Sequence, residues 1–308
     1  MSSDRSVEVP AAIVCVGLSA LDHIWQADRL PDGELPKVRA RSFASKGGGM
    51  AATAAVTVAR LGGEARFWGR AGDDAAGRSM RDELGREGVD CRHFRLFEGA
   101  SSSVSGVFVD ARGERHIANF RGDFPDAADW LPLAELAGVG AVLADPRWPD
   151  GAAAAFAAAR ENGIPTVLDA EVADAEIFER LLPLTDHAVF SAPALAGFAG
   201  ADISGALAAV AEKYGCRVAA VTLGERGVQW LEAGAAHSLP AFPVDVIDTN
   251  GAGDVFHGAY ALAIARSMGT APAMRFASAA AAIKCTKPDG RSGIPTLDEI
   301  IDFQRTHP

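Results

Sequence analysis

The chain has 308 residues, 49% of them hydrophobic, enough for one large α/β domain or two ordinary ones around a well-filled core. Its formal net charge of −11 argues against nucleic acid and anionic membranes as partners. The four cysteines, Cys15, Cys91, Cys216 and Cys285, are scattered without a C-x-x-C pair, which argues against a disulfide framework or a cysteine metal site and fits a reducing cytoplasm.

Met1–Pro10 has no apolar h-region and reads as a short tail, and no later run approaches transmembrane length. Ile13–Val16 predicts a strand, Ala51–Leu61 a helix, Ala65–Gly69 a strand and Gly77–Glu87 a helix with its charges on one side. Short apolar strands follow at Ala141–Ala144, Thr166–Leu168, Ala188–Phe190 and Val218–Thr222, with helices near Gly151–Asn162, Ala173–Leu182 and Ile203–Tyr214 between them. Fully apolar short strands separated by helices predict a mostly parallel sheet covered on both faces, with ligands at the carboxyl ends of its strands. Two stretches, 22–45 and 91–120, show alternation instead, and Asp110–Glu114 reads as a hairpin turn between Ser103–Val109 and Arg115–Phe120. They predict a small β-sheet projecting from a single domain that spans 1–308.

The richest chemistry lies at Asp248-Thr249-Asn250-Gly251-Ala252-Gly253-Asp254, where two glycines and an acid open an apolar helix. Gly251, Ala252 and Gly253 would offer backbone N–H groups at a helix N-terminus, which suits a phosphoryl group in transfer. Asp254 at the mouth of that cradle is a candidate general base for an attacking hydroxyl. The same four residues Gly251–Asp254 also suit a tight turn with an acidic N-cap. The seven histidines form neither a metal site nor a Ser-His-Asp set, and His257 reads as structural. The glycines after the first strand do not form G-x-G-x-x-G, which sets aside a dinucleotide oxidoreductase.

Asp248–Asp254 resembles the C-terminal signature of the ribokinase (PfkB) family of sugar kinases, and other segments match that family in order. Val16–Asp22 is similar to its first strand and sugar-contacting Asp, Gly47–Thr53 to its glycine signature, Gly69–Gly77 to the loop that follows, and Val221–Gly227 to its nucleotide-phosphate loop. The resemblance implies a ribokinase-like three-layer α/β sandwich with a small β-sheet lid, ATP and Mg²⁺ as co-substrate and cofactor, and a homodimer built through the lid. It implies sugar contacts from Asp22, Gly47, Gly48 and Gly49, and ATP contacts from Thr222, Gly224, Gly227, Ala280 and Lys284. Turn formation explains Gly224 and Gly227 equally, and helix packing explains the small residues Ala277, Ala280 and Ala281. Asp248, Asn250 and the loop Lys287–Ser292 overlap the family's monovalent-cation site, which implies potassium activation.

Three further segments, Val142–Trp148, Asp186–Ser191 and Lys284–Pro295, resemble the sulfofructose kinase branch, whose members phosphorylate 6-deoxy-6-sulfofructose. In that reading the planar fork of Arg147 takes the sulfonate, joined by Lys37 and Asn119. The alternative for Arg147 is a surface arginine stacked on Trp148. The chain departs from the family at three places. Gly49 and Thr53 stand where relatives carry Asn, and Ser191-Ala192-Pro193-Ala194 replaces the usual Asn-x-x-Glu, so Mg²⁺ is expected to lean on ATP, water and acids such as Asp169 or Asp254.

Overall fold

The computed structural model describes residues 11–30, 37–112, 114–288 and 290–307. The expected tail Met1–Pro10 and residues 31–36 of the first alternating stretch lie outside them.

β1 (Ala12–Gly17) is buried at every position, and its alternating side chains enter two separate cores. Ile13 and Cys15 pack with α1 (Met50–Arg60), α7 (Ala252–Ala265) and α8 (Thr270–Cys285). Val14 and Val16 pack with α3 (Pro149–Glu161), α4 (Ala175–Leu181) and α6 (Ile203–Tyr214) on the opposite side. A strand buried on both faces needs helices on both faces, and this produces three layers. Beside β1 run β4 (Glu64–Gly72) and β5 (Phe94–Phe97) on one side. β8 (Ala141–Ala144), β9 (Thr166–Ala170), β10 (His187–Ser191) and β11 (Val218–Thr222) run on the other, all parallel. β12 (Val228–Glu232) and β13 (Ala235–Leu239) close that edge antiparallel, giving nine strands. The chain therefore leaves β1 in both directions, and the reversal beside it marks the crevice where ligands bind in such sheets.

A second, four-stranded sheet has the order β3 (Ala40–Gly48), β2 (Ala20–Ala27), β6 (Val104–Val109), β7 (Arg115–Phe120). The β6–β7 hairpin forms where the alternation predicts it, with the Asp110 carboxylate accepting from the backbone N–H of Arg112 and Glu114. One boundary needs correction. Phe94–Phe97, within the 91–120 stretch assigned to the small sheet, pairs with β4 and forms the edge of the large one. α5 (Ala192–Ala199) was not expected. Ser191 caps it by accepting from Ala194 N, and Pro193 fits its first turn. α2 (Ala75–Arg86) is capped likewise by Asp74. Among the described residues no single helix is long and apolar enough to cross a membrane.

Candidate active site

Gly251–Asp254 opens α7 as the sequence suggests, and the alternative of an acidic N-cap is not what forms. Gly251 is the N-cap of α7 and lies in the left-handed region at φ 76°, a conformation that a Cβ would strain. Asp254 is therefore not the cap but the third helical residue. Its carboxylate accepts no hydrogen bond from the described residues and lines a cleft of about 1080 Å³ together with Asp22, Gly47, Gly48 and Gly49. Burial and the negative charge of nearby Asp169 push its pKa up to about 7, against the pull of His257 and Arg291.

One side of the cleft is built by strand register. β3, β2, β6 and β7 bring Lys46, Asp22, Ser105 and Asn119 into one row across the small sheet. The Asn119 amide donates to Ser105 Oγ at 3.1 Å and to the Val104 carbonyl at 3.3 Å. The next row, Ala44, Ile24, Val107 and Ile117, is apolar. Asp22 lies so close above Gly48 that a Cβ there would fall 2.5 Å from its Oδ2.

Sequence reasoning missed Arg291. It comes from the short turn Gly290–Gly293 and is almost fully buried. Its guanidinium donates to the Gly48 carbonyl at 2.6 Å, to Thr53 Oγ1 at 3.1 Å and to Glu83 at 3.3 Å. Glu83 in turn accepts from Gly47 N at 2.9 Å. The signal was present: two expected Asn side chains are missing at Gly49 and Thr53, and Arg291 fills the space beside Thr53.

A model of the pfkB family carbohydrate kinases matches residues 10–297. A fructokinase from Klebsiella pneumoniae is 30% identical over 300 residues, covering 89% of this chain and 94% of its own. A ribokinase from Haemophilus influenzae is 29% identical over 265 residues, covering 83% and 86%. Among solved structures, a protein from Agrobacterium tumefaciens assigned as a ribokinase superposes with a TM-score of 0.90 at 36% identity, covering 97% of this chain and 99% of its own. Arabidopsis thaliana ribokinase complexed with ribose and ATP superposes at 0.84 with 24% identity, covering 96% and 98%, which shows the shared fold. This chain belongs to the pfkB family of carbohydrate kinases.

On the other side of the kinase's cradle, Thr222 ends β11 with its hydroxyl donating to the Phe190 carbonyl at 3.3 Å. Gly224 and Gly227 form the turn of the β11–β12 hairpin, so the turn expected as an alternative is real. Ala280 is buried within α8 against the core. Lys284 is also fully buried, and its ammonium faces Asp248, 2.7 Å from the carbonyl oxygen and 3.2 Å from Oδ2. The structure thus gives Lys284 a partner in the cradle loop.

Behind the cradle, three carboxylates lie at the ends of β8 and β9. Asp145 accepts from the backbone N–H of Leu18, Ala51 and Arg147. Asp169 is buried, its Oδ2 has no hydrogen-bond partner, and burial with the charges of Asp145 and Glu171 holds its pKa well above the usual range. Glu171, which sequence reasoning also missed, accepts from Ser191 Oγ at 3.0 Å and so stands beside the segment lacking Asn-x-x-Glu. Arg147 follows β8, donates to the Val172 carbonyl at 2.8 Å and is not among the residues lining the cleft of Asp22 and Asp254. Lys37 is exposed ahead of β3. Arg70, not Arg147, stacks on Trp148, 4.8 Å from the ring centroid.

Proposed function

We propose that this kinase transfers the γ-phosphoryl group of ATP to a primary hydroxyl of a ketohexose-like sugar. The observation that carries the reading is the placement of Asp254, unbonded and beside the Gly251–Gly253 cradle, in one cleft with Asp22. Asp22 and the backbone of Gly47–Gly49 hold the sugar hydroxyls. Asp254 takes the proton from the attacking hydroxyl as its oxygen bonds to phosphorus and the bond to ADP breaks, and the cradle N–H groups hold the charge on the transferred group. Mg²⁺, when bound, neutralises phosphate charge. The nearby acids Asp169 and Asp254 would, with ATP and water, help to hold the ion. Thr222, Gly224 and Gly227 take the remaining phosphates, with Ala280 on the adenine side.

The finer reading is 6-deoxy-6-sulfofructose as substrate and its 1-phosphate as product. It is supported by the branch-like segments and by three cations on the cleft wall, Lys46, Arg86 and Arg291. A neutral sugar such as fructose or ribose is the alternative, supported by the fructokinase and ribokinase relatives. The absent Asn-x-x-Glu motivates a further alternative, a sugar-binding regulator without turnover. The small sheet also carries an aromatic set, Trp25 with Phe43 and Phe108, and Phe43 is 57% exposed, which supports a homodimer through this sheet.

Coupled ADP release with Mg·ATP separates these readings. The panel holds 6-deoxy-6-sulfofructose, fructose 6-phosphate, fructose, ribose and adenosine, with Asp254→Asn and Arg147→Ala as variants. Turnover abolished by Asp254→Asn establishes the chemistry. A KM increase with Arg147→Ala for the sulfosugar alone establishes the sulfonate fork, and no sugar-dependent ADP leaves the regulator.

A further inference from the structure

Asp248, one of the residues that the family resemblance marks for a monovalent cation, already faces a positive charge. Lys284 lies in the last turn of α8 with no exposed surface. Its ammonium meets two oxygens of Asp248, the carbonyl at 2.7 Å and Oδ2 at 3.2 Å. The Asp248 carboxylate also accepts from Asn250 N at 3.0 Å and Gly290 N at 3.3 Å. The backbone is tied from the same side, since Ile247 N and Asp248 N both donate to the Cys285 carbonyl, at 2.8 and 3.1 Å. A carbonyl and a carboxylate oxygen converging on one cation from the loop that enters the Gly251 cradle are the oxygens a bound monovalent ion would use. A second cation among them would stand beside the ammonium in a buried site, where like charges repel strongly. Asp248 therefore does not fit a potassium ion while Lys284 is in place.

We propose that the Lys284 ammonium is a built-in cation. It neutralises Asp248 and fixes the 248–251 turn, and the kinase consequently works without potassium. The lysine acts through the loop that holds the phosphoryl cradle, so it is a positioning residue. Losing it would remove a buried positive charge from beside Asp248, and an added monovalent ion could then enter the space.

The test uses the full chain in potassium or tetramethylammonium chloride at equal ionic strength, reading kcat, thermal unfolding and thallium(I) binding by NMR. For the wild type, kcat in the two salts is expected to agree within about twofold, Tm is unchanged and no saturable thallium site appears. For Lys284→Ala, kcat is expected to fall by about ten- to a hundredfold in tetramethylammonium and to recover partly in potassium. Tm should rise with potassium in that variant alone. Lys284→Arg, which keeps the charge, retains the wild-type indifference and serves if the alanine variant does not fold. Saturable potassium activation of the wild type, a potassium-dependent rise in its Tm, or thallium binding with Lys284 intact would overturn the proposal. The unfolding and thallium measurements decide it even if no sugar on the panel is phosphorylated, so its failure is distinct from failure of the substrate assignment.

Discussion

The His257 ring lies between two backbone carbonyls, with Nδ1 2.7 Å from Gly253 O and Nε2 3.2 Å from Val189 O, while Asp169 Oδ2 sits 3.4 Å from the same Nδ1. A neutral imidazole donates from one nitrogen only, so the second carbonyl is served only if the ring carries a second proton. Burial disfavours charge on both His257 and Asp169, lowering the pKa of the one and raising that of the other. Charge is thus disfavoured on both partners beneath α7, and whatever negative charge Asp169 carries is one of the causes that raise Asp254.

The pH dependence of turnover follows. Asp254 must be ionised to accept a proton, so kcat/KM should rise with pH through about 7 and level off above it. Asp169→Asn removes a like charge, which lowers the Asp254 pKa and moves this limb to lower pH. A pH–rate profile of both proteins checks the direction, and a limb that moves upward or stays fixed refutes the coupling.

Stability should show the same group with the opposite consequence. Asp254 binds its proton more tightly in the folded state than in the unfolded chain, so folding loses stability as pH rises from about 4 to 7. Asp254→Asn is therefore expected to abolish turnover while raising Tm at pH 8 by roughly 2–4 °C, with no gain at pH 4. Calorimetry at the two values is sufficient.

Arg291 joins the C-terminal turn to the glycine wall, and its loss has two effects. Arg291→Met should destabilise the fold by about 2–4 kcal/mol because it strands Glu83 and the Gly48 carbonyl. Sugar KM should rise by about tenfold or more while ATP KM stays within about twofold. Denaturant unfolding and initial-rate kinetics measure the two separately.

Gly48→Ala tests the close approach of Asp22. The added methyl would meet Asp22 Oδ2 at 2.5 Å and force the carboxylate aside. Sugar KM should increase by about tenfold with a small change in Tm, because the obstacle is a side chain and not backbone. An unchanged KM would remove Asp22 from the sugar contacts.

The outer aromatics of the small sheet predict self-association. Phe43→Asp places a charge on a 57% exposed aromatic position and should convert a dimer to a monomer in light scattering without lowering Tm by more than about 2 °C. A wild type that is already monomeric would end the proposal.

Much of the layered fold was legible because buried parallel strands read as short apolar runs. β8 and β11 have the bounds that their sequences predict, and α1 differs by one residue at each end. β5 was not legible: its four residues include Arg95, it occupies a sheet edge, and it adjoins the alternating stretch of the small sheet. α5 was hidden by a proline and by the absence of a charged face. The cradle was readable because its parts are contiguous in the chain. Arg291 and Glu83 were not, since they meet Gly47 and Gly48 across long sequence separations that no local pattern records.

The row formed by Lys46, Asp22, Ser105 and Asn119 exists in one pairing register only. Side chains alternate along a strand, so a slip of one residue would turn Ser105 and its neighbours on β6 to the opposite side. The hairpin that fixes β6 against β7 turns at Asp110, whose carboxylate binds the N–H of Arg112 and Glu114 at the far end of the sheet. What the cleft presents to a sugar is thus determined partly at a turn that never touches it. Changes in ligand preference within this scaffold need not begin in the pocket, because altering the length of that turn would exchange one lining for another.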